Sequence, residues 1–143
     1  MIAAALLVGA AGLASTASVS ASDVAGLWHT PVDGGSIIRL MPCDADGICG
    51  RIVTSPHIRA APDQKDIRNR DVAQRDRVLR NLMIMKVRAL GPGRWGDGWV
   101  YNPEDGGTYR GVMALQPDGT LRLTGCIVRP FCKTQTWRRA ATD

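Results

Sequence analysis

Short apolar stretches alternate with turn-forming residues along most of this chain. The stretches cover residues 26–29, 36–41, 48–53, 82–89, 95–101, 108–115, 120–128 and 133–138. Between them stand VDGG, DADG, GPG, NPEDGG and QPDG. Asp-Gly and Gly-Gly steps supply the positive φ that tight hairpin turns need. About eight short strands joined mainly by such turns predict an all-β protein, an antiparallel sheet closed into a barrel or folded as a sandwich. Period-two alternation places Trp95, Asp97, Trp99 and Tyr101 on one face of their strand. Tyr109, Met113 and Leu115 share a face of the next, and Leu121, Leu123 and Ile127 one of the strand after. Both faces of these strands carry apolar groups, so the period alone leaves the inward face open.

One segment breaks the pattern. Residues 56–81 form the longest gap between strands and the most charged. Asp71 is placed to cap a short helix over 72–79, with Val72, Val78 and Leu79 roughly on one side. A long connection in a small β domain is either a solvated link or a lid over a cavity.

The chain opens with an apolar run over 2–13, followed by small residues. Val19-Ser20-Ala21 fits the small-x-small rule, so residues 1–21 are expected to be a signal peptide cleaved after Ala21. Residues 22–143 are then expected to form a single domain. The run is too short for a stable span, and no later segment could cross a membrane as a helix, so no integral membrane protein is expected. The basic residue usual after Met1 is missing.

Cysteine usage agrees with export. The four cysteines form two C-x5-C pairs, Cys43/Cys49 around DADG and Cys126/Cys132 around IVRPF. An even count behind a leader reads as disulfides. Strands leaving a tight turn hold their first residues within bridging reach, which predicts 43–49 and 126–132. A metal site would need other spacing and nearby histidines. The formal net charge is +5, arginine dominates the basic residues, and Glu104 is the only glutamate. Such a surface favours anionic lipid head groups or glycans; export removes nucleic acid from the expected partners.

GLWHTPVDGGSIIRLMPC, CGRIV, WVYNPEDGGTY, DGTLRLTGC and QTWRR follow in order. Together they resemble the bacterial exported family known as domain of unknown function 2147, over about residues 25–139. The resemblance implies a small up-and-down, lipocalin-like β-barrel and a periplasmic location. It implies no reaction. Gly26 and Trp28 match the opening motif. Tyr101, Pro103, Asp105, Gly106 and Tyr109 match the central one, and Gln135 and Trp137 the closing one. Asn69, Asp71 and Arg77 fit the family's polar loop, where DIRNRDVAQRDRVLRNL departs from the commoner proline-containing form.

Catalytic chemistry finds little support in the sequence. Glu104 and Asp105 are adjacent in a turn, whereas a glycosidase needs two carboxylates across a cleft. His29 and His57 are far apart, and no G-x-S-x-G is present. Asp44, Asp46 and Gly47 resemble only the opening of a calcium loop. No catalytic residue, cofactor or metal is predicted. The aromatic set suggests a binding cavity walled by Trp95, Trp99, Tyr101 and Tyr109, with Arg77 from the polar loop. Trp28 and Trp137 are expected to be structural, meeting where first and last strands pair. The expected function is binding of a small apolar or amphipathic ligand in the cell envelope. The alternative is a glycan or protein partner held through Arg75, Arg77 and Arg80. A hydrolase built on Asp97 and Tyr101 ranks third.

Overall fold

The computed structural model describes residues 9–14, 18–31, 35–128 and 130–141. The first part of the apolar leader and the start of the VDGG turn lie outside the described residues.

Eight strands close into one antiparallel barrel in chain order. They are β1 (Gly26–His29), β2 (Ile37–Cys43), β3 (Gly47–Thr54), β4 (Met83–Gly91), β5 (Arg94–Asn102), β6 (Gly107–Leu115), β7 (Leu121–Val128) and β8 (Phe131–Arg139). Each coincides with one apolar stretch of the sequence. β1 closes the ring on β8 through Trp28 opposite Arg139 and His29 opposite Arg138. Closure leaves no open sheet edge and rules out the sandwich. A short helix α1 (Ala21–Val24) precedes β1, and α2 (Pro56–Ala60) follows β3.

Both disulfides pair as the turns predict. Cys126 lies directly opposite Cys132 in the β7–β8 register. Cys43 and Cys49 are offset diagonally, since Cys43 faces Gly47 and Met41 faces Cys49. On the chain-entropy argument each small loop contributes roughly 2 kcal/mol.

The face assignment for β5 needs correction. Trp95 pairs with Met113, but Gly98 pairs with Gly111. Three steps on β5 therefore match two on β6, and the extra residue is a bulge at Asp97, which has φ 49°. A bulge reverses the parity of everything beyond it. Trp95, Gly98 and Val100 oppose the Met113–Gly111–Tyr109 face, while Trp99 and Tyr101 lie on the other. Trp95 and Tyr101 thus do not share a face.

The connection over 55–82 also differs from its expected form. Asp71 does cap a helical turn, its carboxylate accepting from the Ala73 N–H, but the turn is a 3-10 helix over Val72–Gln74. A longer helix would present no continuous apolar face: Val72 and Val78 are exposed and only Leu79 is buried. The α-helix lies earlier, where Ser55 accepts from the Ile58 N–H and Pro56 occupies the first turn.

Alternate turns of an up-and-down barrel lie at the same end. The β2–β3, β4–β5 and β6–β7 turns mark one end, and α1 closes it. Val24 is fully buried there and its carbonyl accepts from Trp28 Nε1 at 2.8 Å. Leu40, Ile48, Met85, Val87, Trp95, Met113 and Leu121 fill this half of the barrel. Gly50 makes room for them, since a Cβ there would sit 2.5 Å from Met85 Cγ. The other end carries the long connection and the β5–β6 and β7–β8 turns, and it is not filled.

Candidate functional site

The unfilled half holds a cavity of about 500 Å³. That volume lies within the usual range for small-molecule sites. Its inner walls are apolar: Ile38, Ile52, Ile84, Val100, Leu123 and Trp137. Polar groups gather towards the mouth, among them His57, Lys65, Arg68, Glu104, Tyr109 and Lys133. An interior apolar below and charged above suits a molecule with a hydrocarbon body and a polar end.

The connection over 55–82 roofs one side, and a buried carboxylate holds it there. The Asp66 side chain is wholly buried. It accepts from Tyr101 Oη at 2.5 Å, from Asn69 Nδ2 at 2.9 Å and from Arg77 Nε at 3.0 Å. Arg77 also lies over the Tyr101 ring, 5.2 Å from its centroid. Four polar side chains thus satisfy one another, as burial requires. A second tie joins Arg70 N–H to the Gly106 carbonyl at 3.1 Å. Gly106 has φ 71°, and a Cβ there would fall 1.8 Å from the Arg68 carbonyl oxygen. Only glycine allows the connection so close to the NPEDGG turn. At the rim, Glu104 pairs with Arg68 at 3.1 Å and with His57 at 3.5 Å. Tyr109 donates to Asp105 at 2.5 Å.

Both tyrosines of the chain hold their protons above the ordinary range. Burial is the main cause for Tyr101, and its bond to the Asp66 carboxylate adds to it. For Tyr109 the bond to Asp105 dominates. A raised folded-state value favours the neutral phenol, so this contribution to stability is complete below about pH 10 and is lost as the pH rises past it. Alkaline titration of the folded protein is therefore expected to show little tyrosinate absorbance at pH 10, with its appearance coupled to unfolding. Two phenols ionising near 10 in a protein that remains folded would contradict the described contacts.

The expected site residues divide. Tyr101 and Tyr109 line the cavity. Trp95 is buried in the filled half, and Trp99 packs at the margin of the core; neither lines the cavity. Arg77 touches it only through Asp66 and Tyr101. Trp28 is structural, with the Arg139 guanidinium 4.3 Å from its ring centroid. Trp137 lines the cavity as well as closing the barrel. Asp97 pairs with Arg88 and Tyr101 with Asp66, so the two do not act on each other. Arg75 is also engaged, donating to the Asn69 carbonyl at 2.8 Å. Asp66 stands out in the sequence only as one of several acids among the loop arginines. The clue to its role is an aspartate in a long connection facing a barrel tyrosine.

The comparisons agree with this architecture. The family model described as "Uncharacterized protein conserved in bacteria (DUF2147)" matches residues 26–139. Among solved structures the chain is similar to protein HP1028 from the human pathogen Helicobacter pylori, described as belonging to the lipocalin family. The identity is 20%, the TM-score 0.70, and the match covers 87% of this chain and 85% of that one. At that identity the likeness concerns the fold. No curated protein matches. Among the described residues no helix is long and apolar enough to cross a membrane.

Proposed function

We propose, from the premise that this chain belongs to the DUF2147 family of uncharacterized bacterial proteins, that it is a binding protein rather than an enzyme. Its barrel holds one small apolar or amphipathic molecule in the cell envelope. The observation that carries this reading is the half-filled barrel: packed side chains at one end, about 500 Å³ of mainly apolar cavity at the other. A fold needing only stability would fill both halves, because empty apolar volume forfeits packing. The hydrocarbon part lies against Ile38, Ile84 and Leu123, and the polar end lies near Tyr109 and Lys133.

Two disulfides fit an oxidising, extracytoplasmic compartment. The proposal places the protein in the periplasm, with residues 1–21 removed. Cleavage after Ala21 takes away Ser20, which caps α1, and leaves Val24, the partner of Trp28.

Native mass spectrometry of protein exported in its own type of host tests the reading, together with titration by a fluorescent fatty-acid analogue. The expected result is one retained molecule per barrel, lost on denaturation, or one analogue bound per barrel. A bare mass together with no analogue binding overturns it.

A further inference from the structure

We infer that the tip of the β7–β8 hairpin docks onto an anionic phospholipid surface. Ile127, Val128 and Phe131 stand there 68%, 61% and 69% exposed. Monomeric surfaces scatter large apolar side chains singly; three on one hairpin tip mark a contact site. The tip is built to hold them out. The register slips between Cys126 and Val128, so Ile127 sits in an irregular stretch. The Cys126–Cys132 bridge closes the loop just behind it.

Charge identifies the occupant. From residue 121 to residue 139 the chain has no acid; Arg129 and Lys133 adjoin the apolar residues in sequence, while Arg122, Arg138 and Arg139 stand at the far end of the two strands. Lys133 follows the tip on β8, and Arg110 of β6 pairs in register with Cys126; both are exposed. The nearby acids Asp66 and Glu104 are taken up by Arg77 and Arg68, and Asp105 accepts from Tyr109. An apolar tip with basic flanks is matched by hydrocarbon beneath anionic head groups. A second copy meeting tip to tip would bring like charges together. Ile127 and Phe131 also line the cavity mouth, as does Ile67 of the connection, itself 61% exposed. Docking would therefore set the mouth against the lipid. The inference is independent of any ligand inside the barrel.

Flotation of the disulfide-bonded protein with vesicles of phosphatidylethanolamine and phosphatidylglycerol tests it, with pure phosphatidylcholine for comparison. The anionic vesicles should carry the protein, less so as salt rises, and the neutral ones should carry much less. Combined Ile127→Ser, Val128→Ser and Phe131→Ser should weaken partitioning at least about tenfold with thermal unfolding unchanged, because all three are exposed. In a second variant, Phe131→Trp, brominated lipid should quench fluorescence beyond any effect on the wild type. Absence of partitioning, or partitioning unaltered in the triple variant, overturns the inference. So does a wild-type dimer that the triple variant abolishes, since the occupant would then be a second copy.

Discussion

Replacing Asp66 with alanine is expected to destabilise the protein by roughly 2–4 kcal/mol, less than the full cost of breaking a wholly buried ion pair because the Arg77 side chain is 35% exposed. The carboxylate is fully buried and receives Tyr101, Asn69 and Arg77. Its removal leaves a phenol and an amide without partners in a dry site, and each such group costs about 1–3 kcal/mol. The loss should appear first in the connection over 55–82, which is then held by the Gly106 contact, the half-exposed pairs of Glu104 with Arg68 and His57, and the burial of Ile58 and Leu79. Chemical denaturation measures the overall effect. Trypsin measures the local one, because Arg59, Lys65, Arg68, Arg70, Arg75, Arg77 and Arg80 all lie in the segment. Rapid cleavage there, with the barrel fragments still joined by sheet pairing, is the expected pattern. A variant that unfolds at the wild-type denaturant concentration and resists trypsin would show that Asp66 does not hold the roof.

The same residue shows where reading a sequence stops. The eight strands were legible because each is short and bounded by Gly, Asp or Pro, and because no strand competes with a helical period. The disulfides were legible because each pair brackets a turn. Asp66 was not, because its role depends on a tyrosine 35 positions away that approaches only when the barrel closes. The β5 bulge falls between these cases. Gly96-Asp97-Gly98 in mid-strand is a recognisable bulge signal, yet strict alternation reads through it and puts Trp95 and Tyr101 together. That one extra residue turns Trp99 away from the face that Trp95 shares with Val100, while Trp95 misses the cavity because it lies in the filled half. Trp137 was overlooked for a related reason: it stands two residues from Gln135, but period two does not say which face points inward.

A barrel with one packed half separates two demands on the sequence. Stability rests on Trp28, Trp95, Met85 and their neighbours at the end closed by α1. The open half can then keep its cavity, at a cost in packing that the closed half and the two bridges offset. Changes in the open half should therefore alter binding more than folding, as with Gly125.

Gly125 lies on β7 between Gly111 and Lys133 in register and lines the cavity. A Cβ there meets Tyr109 Cβ at 3.4 Å, an ordinary contact, so a side chain at this position projects into the cavity beside that ring. Gly125→Phe is expected to occupy the space a ligand needs and to weaken binding of the fluorescent fatty-acid analogue at least about fivefold, given ~1–3 kcal/mol for overpacking. The melting temperature should change little, because the ring enters empty volume and a glycine leaves mid-strand. Gly125→Ala adds one methyl group and should leave affinity within about twofold, which makes the effect one of size. If the phenylalanine variant binds as tightly as the wild type while remaining folded, the analogue does not enter this cavity, and binding must be sought on the outer surface.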